Sequence, residues 1–286
     1  MTMQTMPAAK LVVAFPVYNG ARTLEGALQC IADQDCRDFR AIIVENGSTD
    51  ETRQIAEAFC ARDPRFQVIP NQKHLGVIDN FVHTIGLAAS MGEYFCLRAA
   101  DDKSSPDFLS RLLAALEADP TKMLAVGAAE RISPEGRERL TPKPNIFGFA
   151  ERIARGKPPG SLHFPSEWFY GVVRSRGGAE IMLRRWPELG TPWCAASYTI
   201  AEFVVRDMVA YVEGPAYHFY RGSSSPTLYT AKSLAERIRQ RWRYTMGCFR
   251  VRKKLPPMSL WTTVLFFHMC WKDAKRKTGY KLFGFL

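Results

Sequence analysis

The chain has 286 residues, 47% of them apolar, enough to bury one large core or one core with an appended subdomain. Its formal net charge of +11 favours anionic partners, namely nucleic acid, phosphorylated metabolites or an anionic membrane surface. Seven scattered cysteines without a C-x-x-C pair argue against a zinc site and a disulfide framework, and predict buried thiols in a reducing compartment.

"MTMQTMPAAK" has no basic region followed by an apolar run, so no secretory leader is expected. No stretch reaches the roughly 18 apolar residues of a spanning helix, and "LWTTVLFFHMCW" (260–271) is too short. A cytoplasmic protein is expected.

Along the chain, "LVVAF" (11–15) is a continuous apolar run, as expected of a strand covered on both faces. Leu24, Ala27, Leu28 and Ile31 recur at helical spacing. "FRAIIV" (39–44) predicts a second strand, and Ser48 with Glu51 has the spacing of a capping box for a helix carrying Ile55 and Phe59. "FQVIP" (66–70) predicts a third strand, and Val77 to Ala89 a helix with Phe81, Ile85 and Ala88 on one side. "YFCLR" (94–98) is a fourth strand. Ser105 is expected to cap the helix that Pro106 begins, whose apolar face is Phe108, Leu109, Leu112, Leu113 and Leu116. Asp119-Pro120 ends it, and "MLAVGAA" (123–129) is a fifth strand. This alternation predicts an α/β fold with right-handed crossovers and a mainly parallel, Rossmann-like sheet flanked by helices.

Such sheets bind ligands beyond the carboxyl ends of their strands. Polar clusters fall there: Tyr18-Asn19 after the first strand, Glu45-Asn46-Gly47 after the second, Asn71 after the third, Asp101-Asp102 after the fourth. Tyr18 can lie on a flat base, and Glu45 can accept an imide or amine N–H; either also suits an ordinary turn. Two adjacent aspartates at a buried rim repel, which a hard divalent cation, Mg²⁺ or Mn²⁺, relieves while also taking diphosphate oxygens. An acidic cluster at a helix start is the alternative.

"AFPVYNG", "IIVENGSTDET", "NQKHLGVIDNF" and "GEYFCLRAADDKSSPDFL" resemble the successive motifs of the family 2 glycosyltransferases, which have the GT-A fold; the similarity runs over about residues 10–130. The resemblance implies an enzyme using a nucleotide-diphospho-sugar and a divalent metal (Mn²⁺ or Mg²⁺), usually with inversion at the anomeric carbon. By position it implies Pro16, Tyr18 and Asn19 beside the base, with Glu45 replacing the usual aspartate. It puts Asn71 and Gly76 in the third loop, with Lys73 near a phosphate. Asp101 would be at ribose or metal and Asp102 the principal metal ligand. Ala99 stands where many members carry another aspartate.

In the second half, "TPKPNIFGFAERIARGKPPGSLHFPSEW" (141–168) suggests loops or a mobile acceptor flap. "WFYGVVRS" (168–175) resembles the family segment before the acceptor site, which implies Trp168 and Tyr170 stacking on a sugar, and Arg174 at acceptor or diphosphate. Arg221 fits a family "YR" and would hold phosphate oxygens. The family's general base is expected near Ala195-Ala196. Glu202 is therefore the candidate base, with Asp207 and Glu167 as weaker substitutes. His218 is placed less cleanly, and a strand histidine is the alternative.

Residues 232–254 interleave Lys and Arg with Leu234, Ile238, Trp242 and Phe249, and the 260–271 run follows, ending in "KDAKRKTGYKLFGFL". This describes an interfacial helix on an anionic membrane, or else a helical cap with a solvated basic face. Nucleic-acid binding is the rival reading of the charge, but no such motif occurs.

The expected organisation is a nucleotide-sugar-binding half (10–130), an acceptor-binding half of the same domain (131–228), and a C-terminal helical, basic-aromatic extension that contacts membrane (229–286). The expected function is transfer of sugar to a glycan or lipid-linked acceptor in cell-surface polysaccharide or glycolipid synthesis, cytoplasmic or peripheral on the inner face of the cell membrane. The alternatives are a catalytically silent sugar-nucleotide-binding module and, lower, a nucleotidyltransferase, which needs a more glycine-rich phosphate loop than "PVYNGART".

Overall fold

The first strand is apolar at every position from Leu11 to Phe15, and it runs through the interior. A computed structural model describes residues 9–220 and 229–279. In it β1 (Ala9–Val17) pairs in parallel with β2 (Arg40–Glu45) and β4 (Gly92–Leu97), and β2 pairs in parallel with β3 (Phe66–Pro70). Leu11, Val13 and Phe15 point to one face and Val12 and Ala14 to the other, all fully buried.

On the first face lie α1 (Leu24–Ala32), α2 (Thr52–Arg62) and α4 (Phe108–Ala118), through Leu28, Ile31, Phe59, Leu109, Leu112 and Leu116. α3 (Val77–Met91) covers the second face with Ile85 and Ala88; its Phe81 is partly buried and stacks on Trp186, with centroids 4.7 Å apart. Each fully buried side chain of this size contributes about 1.5–3 kcal/mol.

The fifth predicted strand is β6 (Leu124–Ser133), but it does not pair with β4. Three residues from much later, β8 (Val172–Arg174), are inserted antiparallel between them. β9 (Val209–Tyr220) then pairs in parallel with β6, and β5 (Lys103–Ser104) forms the far edge on β9. The sheet order is β3-β2-β1-β4-β8-β6-β9-β5, with β7 (Gly136–Leu140) as a hairpin partner of β6. The sheet is mostly parallel. The 141–168 segment is less irregular than expected, since it contains α5 (Phe149–Ala154).

The C-terminal helices complete the second face. α6 (Glu180–Glu188), α7 (Ala195–Val205), α8 (Leu234–Arg250) and α9 (Leu260–Thr278) share one core through Trp186, Tyr198, Phe203, Tyr244, Cys248, Phe266 and Met269. Gly247 permits the close packing of α8, because a Cβ there would collide with the Tyr198 hydroxyl. The Ser233–Glu236 capping box that starts α8 is fully formed. Among the described residues, no helix is long and apolar enough to cross a membrane.

Candidate active site

Because β1, β2, β3 and β4 are parallel and adjacent, their carboxyl ends meet at one edge, and the loops there bind to one another. Asn19 is left-handed (φ 51°), a conformation asparagine tolerates. Its N–H donates to Ser48 Oγ (3.0 Å), and its Oδ1 accepts from the Thr49 N–H (2.8 Å). Gly20 N–H donates to Thr52 Oγ1 and Ala21 N–H to Asp50 Oδ2. Ser48 is therefore not a helix cap, as its spacing with Glu51 had suggested. α2 starts four residues later, and Ser48 is used to bind the first loop to the second.

Asn46, named in the sequence only within the polar cluster after the second strand, organises the second and third loops. Its side chain donates to Leu75 O (2.9 Å) and accepts from Leu75 N–H and Asn71 Nδ2. The only hint was a strand ending in Asn-Gly, and Gly47 is indeed left-handed (φ 71°) with His74 beside it. His74 Nδ1 lies 2.9 Å from Asn46 O, and its ring lies 4.5 Å from that of Tyr18, which is 48% exposed. Glu45 is buried, and its Oε1 accepts from the Ser48 N–H (2.6 Å). Pro16 lies inside β1, opposite Val44, and Gly76 starts α3 with open space where a side chain would be. Lys73 is exposed.

The fourth loop reaches the first: a Cβ on Gly20 would touch Ala100, and the charge of Arg22 acts on Asp101. Asp101 is exposed, whereas Asp102 is buried. Asp102 Oδ2 accepts from the Tyr217 hydroxyl (2.8 Å) and Oδ1 from the Tyr220 N–H (3.0 Å). Burial and the neighbouring Asp101 push the Asp102 carboxyl up to about 7, although its two donors and Arg98 pull the other way. Arg98, unremarked in sequence, is fully buried with its guanidinium over the Tyr217 ring (4.6 Å) and has no hydrogen-bond partner among the described residues. Ser105 does not cap α4 either; it exchanges hydrogen bonds with the Ala216 backbone and so ties this loop to β9.

Among the described residues no group of three or more His, Cys, Asp or Glu converges as a ready metal cage. The Asp101-Asp102 pair nevertheless suits a hard cation. Asp102 is a carboxyl raised by burial and then by Asp101, and each of its oxygens keeps a lone pair beyond its one hydrogen bond. Such ions are often held by one or two carboxylates plus ligand oxygens and water.

Several residues expected at this edge are elsewhere. Glu202 is not a base poised over a cleft. It is wholly buried in α7 and paired with Arg184 (2.7 Å), Lys254 (2.7 Å), Arg206 (3.2 Å) and Arg185 (3.6 Å). Asp207 accepts from the N–H groups of Phe149 and Ala150 (both 2.6 Å) and so anchors α5. Trp168 cannot stack on a sugar from its position, because it is buried against Phe164 and donates to Gly127 O (3.0 Å). Arg174 lies opposite Tyr94, away from the rim, donating to Tyr94 Oη and Leu116 O. His218 sits on β9 beside Glu130 (3.4 Å). Tyr170 does reach the site, flat against Tyr217. Arg221 lies outside the described residues.

A cavity of about 640 Å³ lies beside the β6–β9 pairing that carries Tyr220. Arg131 lines it from β6, one residue before Ile132, which pairs with the Tyr220 that holds Asp102. Glu167, buried and bound to Arg131 (2.7 Å), follows Ser166 of the cavity wall and precedes Tyr170 of the rim by three residues.

Residues 12–172 match the profile of glycosyl transferase family 2. The chain belongs to that family. Among curated relatives, a Haemophilus influenzae uncharacterized glycosyltransferase is 29% identical over 115 residues, covering 40% of this chain and 34% of that one. A Mycobacterium bovis PGL/p-HBAD biosynthesis glycosyltransferase is 32% identical over 121 residues, covering 42% and 46%. The matched parts thus span less than half of these relatives. S. aureus TarS (1–349) in complex with UDP-GlcNAc has a TM-score of 0.62 at 14% identity, covering 90% of this chain and 70% of that one. GalNAc-T7 with UDP, GalNAc and Mn²⁺ has a TM-score of 0.53 at 12% identity, covering 93% and 55%. This family 2 member therefore has the GT-A fold expected from its sequence.

Proposed function

We propose that this family 2 protein transfers a sugar from a nucleotide-diphospho-sugar to a glycan or lipid-linked acceptor, with inversion, in cell-surface polysaccharide or glycolipid synthesis. One observation carries the reading: loops from four parallel strands meet around a partly exposed aromatic ring at one end and an adjacent carboxylate pair at the other. In this reading Tyr18, with His74 behind it, supports the base, and Glu45 and Asn71 receive its polar edge. The UDP and UDP-GlcNAc complexes of TarS, which has the same fold, support a nucleotide donor.

Asp102, with Asp101, would hold Mn²⁺ or Mg²⁺, which when bound supplies Lewis-acid neutralisation of the departing diphosphate. Tyr217 and Tyr220 orient Asp102, and buried Arg98 sets a standing positive charge beneath it. Of the carboxylates considered as proton acceptors, Glu167 is the one whose chain neighbours, Ser166 and Tyr170, belong to the cavity wall and the rim, and we assign it that role in place of Glu202.

The exposed Leu234, Ile238 and Trp242 of α8 and Leu260, Trp261 and Val264 of α9, with Arg237, Arg239 and Arg243 also exposed, support peripheral contact with an anionic membrane face. The proposed organisation is a nucleotide half (10–130), an acceptor half (131–228) and a membrane-contacting helical region (229–286).

The test is donor turnover. Purified protein should slowly hydrolyse at least one nucleotide sugar in the presence of Mn²⁺, and nucleoside diphosphate with Mn²⁺ should raise its melting temperature. Binding without hydrolysis or transfer across a donor panel on membrane extracts would instead favour a silent sugar-nucleotide module, a reading supported by Ala99 and by Ala195-Ala196 at the start of α7.

A further inference from the structure

We infer that the 640 Å³ cavity beside the β6–β9 pairing is an anion site that receives a phosphate-bearing acceptor. The inference rests on the glycosyltransferase reading for the word acceptor, but the cavity's preference for anions stands on its own lining.

Four basic side chains line the cavity: Arg131 from β6, Lys143 after β7, and Arg276 and Lys277 from the last turn of α9. They converge from three separate stretches of chain. Two carboxylates face them, Glu167 on Arg131 (2.7 Å) and Asp273 on Arg276 (2.5 Å). Among the described residues, four cations against two carboxylates leave an excess of two positive charges. Lys143 is exposed at the mouth. Lys277 Nζ donates to the neutral Phe164 carbonyl (2.9 Å), and the two carboxylates whose charge reaches it, Asp273 and Glu167, are those already bound to Arg276 and Arg131.

The remaining wall adds no negative charge. The amino end of α7 contributes Cys194, Ala196 and Ser197, so the positive end of that helix dipole faces the same space. Burial, and then Arg276, hold the His163 imidazole below its ordinary value, so it is neutral near pH 7 and is not counted among the charges. Burial also lowers the Lys277 ammonium, a cost that an anion in the cavity would remove. Convergent Lys and Arg with guanidinium forks are the chemistry that recognises phosphate oxygens. A neutral sugar acceptor would leave the two charges unmatched. The site's position, one residue along β6 from the pairing partner of Tyr220, brings such a ligand alongside the Asp102 rim.

The test uses the full chain without nucleotide or metal. Glycerol 1-phosphate and uncharged glycerol are titrated by calorimetry, with tryptophan fluorescence in wild type and Trp193→Phe reporting on the cavity wall. Glycerol 1-phosphate should bind, glycerol should not, and the fluorescence change should vanish in Trp193→Phe. Lys143→Gln/Arg276→Gln should weaken glycerol 1-phosphate at least tenfold and leave UDP–Mn²⁺ binding unchanged. Lys143→Glu alone, at an exposed position, serves the same purpose if the double variant does not fold.

A second arm uses phosphatidylcholine vesicles with and without phosphatidic acid. Variant-sensitive binding to phosphatidic acid vesicles without binding of the soluble phosphate identifies a lipid headgroup as the source; binding of both identifies a general phosphate site. Equal binding of glycerol and glycerol 1-phosphate, undiminished phosphate binding in the variants, or no binding in either arm overturns the inference. Failure of UDP–Mn²⁺ to bind wild type would instead strike the donor reading and leave the cavity result standing.

Discussion

Tyr170 and Tyr217 lie face to face, with ring centroids 4.9 Å apart and planes 3° apart, and the Tyr217 hydroxyl donates to Asp102. The turn that leads into β8 and the strand β9 thus together set the direction of one carboxylate. Tyr217→Phe keeps the stack and the ring beneath Arg98 but removes that donor. Donor turnover should fall about tenfold, equivalent to about 1.4 kcal/mol, with stability reduced by about 1 kcal/mol. Steady-state donor hydrolysis and urea denaturation measure the two effects, and unchanged turnover would argue that Asp102 needs no orientation from Tyr217.

Asp102→Asn should reduce donor hydrolysis at least a hundredfold, about 2.7 kcal/mol, if the carboxylate pair holds the cation. The same change removes a buried negative charge that burial and Asp101 disfavour, so the melting temperature should hold or rise. A loss of activity accompanied by unfolding would not count in its favour, and circular dichroism melts distinguish the two.

Asn46→Ala removes bonds to Leu75 and Asn71 that join the second and third loops. The expected cost is about 2 kcal/mol in urea denaturation, with nucleoside diphosphate affinity lowered in calorimetry. An unchanged affinity would mean these loops do not form the nucleotide site.

The first four strands were legible because their chemistry is local: apolar runs end in polar turns, and helices between them repeat apolar residues at 3–4 spacing, as Leu24, Leu28 and Ile31 do. β8 was not legible as a central strand. It is three residues long, and its partners Tyr94–Cys96 lie far away in sequence. The Ser48 and Ser105 readings failed because an N-cap pattern does not reveal that a hydroxyl is taken by another loop. Glu202 carried a signal that spacing arguments overlooked: it stands in "AASYTIAEFVV", apolar nearly all round, where a carboxylate must be buried and paired. His74 and Asn46 act through neighbours brought close only by the parallel sheet.

The Glu202 cluster has a pH signature. Burial raises its carboxyl, but hydrogen bonds from Arg184 and Lys254 outweigh that and hold it below the ordinary 4.5. Its stabilisation is therefore complete above 4.5 and is lost as pH falls through the lower folded-state value. Glu202→Gln should cost about 3 kcal/mol at pH 7, and the gap between variant and wild type should close on acidification. Melting temperatures across pH 3–7 test this; a gap independent of pH would mean the ion pairs contribute nothing. Donor hydrolysis by folded variant should persist, since Glu202 is remote from the rim.

Leu260→Ser/Trp261→Ser alters two side chains that are 83% and 68% exposed. Binding to vesicles containing anionic lipid should fall about tenfold or more, with no change in melting temperature. Vesicle co-sedimentation gives the answer, and equal sedimentation of variant and wild type would remove these residues from any membrane contact.

The insertion of β8 between β4 and β6 has a consequence for how the protein is made. On the ribosome, β4 emerges with its open edge while the residues that will close it are still about 75 positions from synthesis, a wait of about 4–15 s at typical elongation rates. During that interval Tyr94 to Cys96 present unpaired backbone groups to anything nearby, including other nascent chains. A clone cut after residue 130 would carry that exposed edge permanently, so it should be recovered as inclusion bodies rather than as a working nucleotide-binding fragment.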